Sequence, residues 1–183
     1  MKRLSCEDPD FFEKLSSALA TTNRDAEVER VVREILLAVK GTGDDALIEL
    51  TKQFDNTALT PEAIRVAPSE FASAKESLGS GEQIAIEEAK ANVAQFHDNA
   101  HPENWMMTNS HGGQVGERHY PLRRVGIYVP GGEVPLVSTV IMTTSLAKAA
   151  GVPEIAVATP PRPDGSVAPS LLAALSLCGV NEV

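Results

Sequence analysis

The sequence predicts an α/β protein in which N-terminal helices precede the beginning of a parallel sheet. Apolar residues recur at helical spacing through the first hundred residues. The β-forming residues Val125, Ile127 and Val129 then lead directly into Pro-Gly-Gly. A glycine-valine-x-glutamate pattern begins at Gly151 and again at Gly179, as expected when a βα unit repeats. Together these features favour helices first and strands later.

Several helices are predicted in the first half. Asp44 and Asp45 are acidic residues of the kind favoured at a helix N-terminus, so they predict the start of one helix. Pro68 suits the first turn of another helix, which is predicted to end near Leu78. Ser80 and Gln83 form a predicted capping box for a helix that runs to about Phe96. One strongly amphipathic helix is predicted by apolar residues at i, i+3, i+4 and i+7 spacing, namely Val28, Val31, Val32, Ile35, Leu36 and Val39.

The second half has the character of strands and loops. Residues 105–108 and 114–120 flank a Ser-His-Gly-Gly turn and predict a hairpin. The elements predicted after it are a strand at 125–129, a helix at 139–150, a strand at 155–158, a turn at 160–165 and a helix at 168–177. We therefore divide the chain into a helical region, residues 1–104, and a sheet region, residues 105–183.

The loop after the Val125 strand is the best candidate ligand site. Strand, glycine loop and helix form a ligand crevice at the carboxyl end of a strand in open α/β sheets, and paired glycines let a backbone approach a ligand. Tyr128 lies at this strand end, so it either packs its ring on neighbours or contacts the ligand. Ser138 and Thr139 are most simply the N-cap of the next helix, with ligand binding as the alternative.

Composition excludes several classes of function. A net charge of −9 argues against a nucleic-acid partner, which needs clustered Lys and Arg. No run of apolar residues is long enough to span a membrane, and the N-terminus does not resemble a signal peptide. Cys6 and Cys178 form no disulfide framework or zinc knuckle, and Cys178 is expected to be a buried thiol. Reduced thiols indicate a cytoplasmic protein.

The histidines do not form a complete metal site. His97 and His101 are four residues apart and would share one face of a helix. Zinc requires three or four ligands, and no third ligand has a matching spacing. No Ser/His/Asp or Cys/His set is evident either, so the residues alone identify no catalytic group.

Longer motifs resemble one enzyme family. The run RVGIYVPGG, the later PLVSTVIM and AKAAGVPEI, and the segments GTGDDALIELTKQFD and LCGVNEV are similar to the N-terminal part of histidinol dehydrogenase. The similarity covers nearly the whole chain. It implies an incomplete Rossmann-like parallel sheet of the histidinol dehydrogenase and aldehyde dehydrogenase type, beginning within residues 105–183.

The resemblance also implies an activity. The family oxidises L-histidinol to L-histidine in two NAD-dependent steps, contains zinc and acts as a homodimer. Tyr128 corresponds to its NAD-contacting tyrosine, and Gly131, Gly132 and Ser138 to its loop near the ligands. Family members are more than twice this length. Their catalytic Glu-His pair and zinc ligands are expected beyond Val183, so we assign no catalytic residue or metal ligand here.

Two hypotheses follow from this reasoning. The chain is either a fragment of the dehydrogenase, inactive alone, or a stand-alone module that binds a nucleotide or metabolite without catalysis. The strand predicted after Gly179 would begin where the sequence stops, at Val183, which favours the fragment. A coding region that continues past Val183 would support the fragment, and a stop codon there would support the module.

Overall fold

A computed structural model of the chain describes residues 4–20, 26–131 and 135–183. The helices within these residues are α1 (Phe11–Ala20), α2 (Ala26–Thr42), α3 (Asp44–Asp55), α4 (Pro68–Ser77), α5 (Ser80–Asn99), α6 (Val137–Ala149) and α7 (Pro169–Leu177). The strands are β1 (Trp105–Thr108), β2 (Gln114–Glu117), β3 (Arg124–Tyr128) and β4 (Glu154–Ala158). The predicted α/β class, with helices first and a small parallel sheet later, is confirmed.

Two separate strand pairs form. The hairpin β1–β2 is antiparallel, with Trp105 opposite Glu117, as the Ser-His-Gly-Gly turn predicts. Strands β3 and β4 are parallel, with Arg124 opposite Glu154 and Tyr128 opposite Ala158. Helix α6 connects β3 to β4, so these elements form a βαβ unit. The carboxyl ends of both parallel strands therefore lie at the same edge of the sheet.

The last residues of the chain hydrogen-bond to the free edge of β4. The Val157 N–H donates to the Glu182 carbonyl oxygen at 2.9 Å, on the side of β4 away from β3. Arg124 of β3 forms ion pairs with both β4 and the terminal segment. One guanidinium nitrogen lies 2.6 Å from a Glu182 carboxylate oxygen, and the other lies 3.1 Å from a Glu154 carboxylate oxygen. Its hydrogen bonds, first to Glu182 and then to Glu154, raise the pKa of Arg124. These ion pairs connect β3, β4 and the terminal segment at the amino ends of the strands.

The core lies between this parallel pair and helices α4 to α7. Helix α7 is its most enclosed part, because residues 171–175 are all 3% exposed or less. Cys178 is fully buried, as predicted. The buried cluster consists of Phe71, Ala74, Ile86, Val129, Val140, Ile141, Val157, Leu171, Leu172, Ala173, Ala174, Leu175, Cys178 and Val180. Burial of this apolar surface is the main stabilising contribution to the fold.

Residue packing separates the chain into two compact units, residues 1–47 and 48–183. In the first unit, α2 carries the predicted apolar stripe but has no buried residue, and Leu36 is 64% exposed. The second unit contains α4, α5, both strand pairs and the core. The division at residue 104, proposed from the sequence, stays a prediction.

Two predicted helix caps are wrong. Helix α5 is capped from Gly79, whose N–H donates to a Glu82 carboxylate oxygen at 3.0 Å, rather than by Ser80 and Gln83. The Gln83 side chain instead binds Glu87 at 3.1 Å. Helix α6 begins at Val137, so Ser138 and Thr139 lie inside its first turn. Its N-cap is Leu136, which makes no side-chain capping bond.

Candidate functional site

A cavity lies at the carboxyl ends of β3 and β4, where the glycine loop predicted a ligand crevice. Its volume is about 530 Å³, within the range typical of small-molecule sites. We call it the strand-end cavity. It is lined by Asp55, Pro130, Gly131, Pro135, Thr159, Pro160, Pro161, Arg162, Pro163, Val167, Ala168 and Leu171. The lining therefore combines an apolar, proline-rich wall with three residues that carry polar side chains.

Gly131 lets the loops after β3 and β4 approach each other. Pairing of the strands continues one step beyond β3, because the Val129 N–H donates to the Ala158 carbonyl oxygen at 2.9 Å. A Cβ atom placed on Gly131 would lie 3.2 Å from three ring carbons of Pro160. That spacing is tighter than ordinary van der Waals contact. Glycine at this position therefore allows Pro160 to pack directly against the backbone.

The loop after β4 is an ordered turn, as its PPRPDG sequence predicts. The Arg162 N–H donates to the Ser166 carbonyl oxygen at 2.8 Å, and the Gly165 N–H donates back to the Arg162 carbonyl oxygen at 2.8 Å. Gly165 has φ of +82°, a conformation that glycine adopts without strain. These bonds fix the backbone of Arg162, one of the residues that line the strand-end cavity.

Asp164 stabilises the same turn. One of its carboxylate oxygens accepts hydrogen bonds from the Ser166 hydroxyl at 2.6 Å and from the Ser166 N–H at 3.0 Å. The hydroxyl bond is the larger cause of a lowered Asp164 pKa, and the nearby positive charge of Arg162 adds to it. The carboxylate is therefore retained in its charged form to lower pH than usual.

Thr57 connects this turn to the end of α3. Thr57 is 2% exposed, and its hydroxyl lies 3.2 Å from the carbonyl oxygens of both Asp55 and Arg162. A hydroxyl has one proton to donate, so the two carbonyls share it. The preceding Asn56 has φ of +54°, which turns the chain sharply after the helix. Thr57 thereby fixes two cavity-lining residues that are distant in sequence.

The structure brings only some of the predicted site residues to this cavity. Gly131 lines it, whereas Gly132 lies outside the described residues. Tyr128 is 64% exposed at the end of β3 and is not part of the lining. It alternates with the inward-facing Ile127 and thus lies on the opposite face of the sheet. Ser138 is exposed in the first turn of α6, also outside the lining.

Sequence reasoning missed Asp55, Thr57, Thr159 and Arg162. Arg162 lies in the segment 160–165, which was interpreted only as a turn, and Thr159 immediately precedes that segment. Thr159 directly follows a parallel strand, and that position alone could have indicated it. Asp55 and Thr57 gave no local signal, because only tertiary packing places them beside the loop after β4.

His97 and His101 lie in different surroundings. His97 lies in α5 with its ring edge against Phe96, their centroids 5.4 Å apart. The His101 ring lies beyond the helix, 3.0 Å from the Pro102 carbonyl oxygen. Within residues 4–20, 26–131 and 135–183, no group of three His, Cys, Asp or Glu side chains could hold a metal ion. The described residues therefore do not fit a zinc site. No helix among them is long and apolar enough to cross a membrane.

Comparison with known proteins identifies the family. The family model for histidinol dehydrogenase matches residues 19–183. The histidinol dehydrogenase of Nitratidesulfovibrio vulgaris is 40% identical over 87% of this chain and 37% of its own length. That of Syntrophotalea carbinolica is 39% identical over 100% of this chain and 42% of its own length.

A solved structure agrees with these sequences. Histidinol dehydrogenase from Elizabethkingia anophelis superimposes with a TM-score of 0.79 and 31% identity, over 87% of this chain and 36% of that protein. The chain thus spans about two-fifths of the length of its relatives and corresponds to their N-terminal portion. It belongs to the histidinol dehydrogenase family.

Proposed function

We propose that this chain supplies part of the cofactor-binding region of an NAD-dependent histidinol dehydrogenase. The observation that carries the proposal is the strand-end cavity, which lies where open α/β sheets bind ligands, in a chain that belongs to this family. The reaction is the oxidation of L-histidinol to L-histidine in two successive two-electron steps. NAD, when bound, accepts the hydride released in each step.

The residues of this chain bind and orient the cofactor in this proposal. Gly131 has no side chain to separate the backbone from Pro160, so that a ligand can lie across the loops that follow β3 and β4. The exposed ring of Tyr128 offers a flat contact surface on the outer face of β3. Ser138 and the undescribed Gly132 complete the loop that the family resemblance assigns to the ligands. Holding the nicotinamide and substrate in a fixed orientation is the contribution expected from such contacts.

Catalysis needs groups that we assign to no residue of this chain. We propose that the catalytic Glu-His pair and the zinc ligands lie in the part of the enzyme that this chain does not include. Activity would then require that part. We expect the complete enzyme to be a homodimer in the cytoplasm. L-Histidinol is the small-molecule partner, and neither nucleic acid nor a membrane is needed.

The proposal predicts no histidinol oxidation by the 183-residue chain alone. NADH formation, followed by absorbance with L-histidinol, NAD and zinc added, should stay at the level without enzyme. The matched control is a longer enzyme that contains this chain, which should form NADH under the same conditions. Histidinol-dependent NADH formation by the short chain would contradict the assignment, since its residues would then suffice for catalysis.

A further inference from the structure

The loop after β4 is held by a residue from a distant part of the chain. Thr57, which follows α3, is 2% exposed and does not line the strand-end cavity. Its hydroxyl oxygen lies 3.2 Å from the carbonyl oxygen of Arg162, a residue that does line the cavity. The two residues are 105 positions apart in the sequence. Any effect of Thr57 on the cavity would therefore be transmitted through the backbone of this loop.

The Arg162 carbonyl oxygen is also the atom that closes the turn in this loop. It accepts a hydrogen bond from the Gly165 N–H at 2.8 Å. A carbonyl oxygen has two lone pairs, so the Thr57 hydroxyl and the Gly165 N–H can both donate to it. The hydroxyl thus adds a hydrogen bond from outside the turn to the acceptor on which the turn depends.

The segment that carries Thr57 contacts the turn at a second point. A Cβ atom placed on Gly165 would lie 3.7 Å from a methyl carbon of Leu59, which is ordinary van der Waals contact. The Thr57 hydroxyl also lies 3.2 Å from the Asp55 carbonyl oxygen at the end of α3. The end of α3 and the loop after β4 are therefore joined by one hydroxyl and by the packing of one leucine side chain.

A ligand binds more tightly to a loop that is already ordered. Ordering a loop at the moment of binding costs free energy, and this cost is subtracted from the affinity. A buried hydrogen bond that keeps the loop in its binding conformation avoids part of the cost. Removing such a bond weakens binding even though no group that contacts the ligand is changed.

We propose that Thr57 is a positioning residue for the cofactor site. Its hydroxyl, through the Arg162 carbonyl oxygen, holds the loop after β4 in the conformation that lines the strand-end cavity. Thr57 itself touches neither cofactor nor substrate, so it changes the affinity for the cofactor and not the rate of the chemical step. The inference rests on the proposed function, since NAD is the ligand whose affinity depends on the loop.

Steady-state kinetics of a longer enzyme that contains this chain test the inference. Thr57→Val has nearly the same shape but lacks the hydroxyl. It should raise the KM for NAD about fivefold, as expected for one lost hydrogen bond, and change kcat by less than about twofold. The KM for histidinol should stay unchanged. Thr57→Ser keeps the hydroxyl and should have a KM for NAD within about twofold of that of the unaltered enzyme.

Amide hydrogen exchange of the 183-residue chain gives a second readout that needs no cofactor. The N–H groups of Arg162 and Gly165 donate the hydrogen bonds of the turn. Both should exchange about fivefold faster in Thr57→Val, because the turn opens more often without the hydroxyl. The Asn109 N–H, which donates to the Gly113 carbonyl oxygen in the separate hairpin, should exchange at an unchanged rate.

Thr144→Val is the matched control for the loss of a buried threonine hydroxyl. Thr144 is fully buried in α6, its hydroxyl donates to the Val140 carbonyl oxygen at 2.7 Å, and it does not line the cavity. This variant should keep the KM for NAD of the unaltered enzyme. An equal increase of that KM in both valine variants would indicate a general loss of stability and overturn the inference. So would an unchanged KM in Thr57→Val, or an increase that Thr57→Ser shares.

Failure of the proposed function would give a different result. If the unaltered longer enzyme oxidises no histidinol with NAD, the proposed reaction is wrong, while faster exchange at Arg162 and Gly165 in Thr57→Val would still support the positioning of the loop. If that enzyme is active and Thr57→Val changes neither the exchange rates nor the KM for NAD, the reaction stands and the inference is wrong.

Discussion

The two faces of the β3–β4 pair differ sharply in what covers them. On the inner face, Ile127 packs against the core and Val157 is 5% exposed. On the outer face, Tyr128 is 64% exposed at the end of its strand. Parallel sheets are normally covered on both faces. The inner face is thus completed by the described residues themselves, whereas the outer face is open to a ligand or to further protein.

The difference separates stability from function. Residues that determine the fold lie on the inner side, around α7, and residues proposed to bind ligand lie on the outer face or at the strand ends. Substitutions on the two sides should therefore change different measured quantities.

The largest effect is expected on the inner side. Leu175→Ala removes a fully buried side chain from α7 and should lower the free energy of unfolding by about 2–5 kcal/mol. Tyr128→Ala should change it by only about 0.5 kcal/mol, because its side chain is largely exposed. Urea denaturation followed by circular dichroism measures both, with the exposed Leu122→Ala as the control. Equal losses at Leu175 and Tyr128 would mean that the outer face is also packed.

The next effect is kinetic and concerns the outer face. In a longer enzyme that contains this chain, Tyr128→Ala should raise the KM for NAD about tenfold and the KM for histidinol much less. Stacking of a base on an aromatic ring contributes about 1–3 kcal/mol, which is the contact that would be lost. Tyr128→Phe keeps the ring and should remain close to the unaltered enzyme. Unchanged NAD kinetics in Tyr128→Ala would remove this residue from the cofactor site.

The smallest effect concerns the turn that presents Arg162. The Asp164 pKa is lowered by its hydrogen bonds with Ser166, so its contribution to stability is present above the ordinary value of 3.8. That contribution is lost as the pH falls through the lowered pKa. The Tm of the unaltered chain should therefore decrease between about pH 5 and about pH 2 more than that of Asp164→Asn. Asp98→Asn, an exposed control, should follow the unaltered chain, and identical curves for all three would show that the turn does not depend on this carboxylate.

Local patterns predicted much of this fold. The alternation of Val125, Ile127 and Val129, followed by Pro-Gly-Gly, is enough to place β3 and its loop, since strand periodicity and glycine breaks act over a few residues. Cap identity was less predictable. Ser80 is a favourable N-cap residue, yet the chain turns one residue earlier and Glu82 satisfies the Gly79 N–H. Competing caps of similar energy cannot be ranked from sequence.

The position of the cavity could be predicted from the sequence, but the residues that line it could not. Its position follows from the strand–loop–helix order, because carboxyl ends of parallel strands meet at one edge. Asp55 and Arg162 are more than a hundred residues apart, and the Thr57 hydroxyl brings their backbones together only after folding. The strand-end position and the family resemblance both indicated Tyr128, whose side chain is on the other face. Which side chains share a site is decided by packing that no short motif encodes.

The central claim is that the dinucleotide binds at the carboxyl ends of β3 and β4. Methyl NMR of threonine-labelled chain tests it most directly, because Thr159 lines the strand-end cavity and Thr108 lies in the separate hairpin. Addition of NAD should shift the Thr159 methyl resonance in a saturable way and leave that of Thr108 unchanged. Saturable shifts that spare Thr159, or no shift at any threonine, would contradict the account.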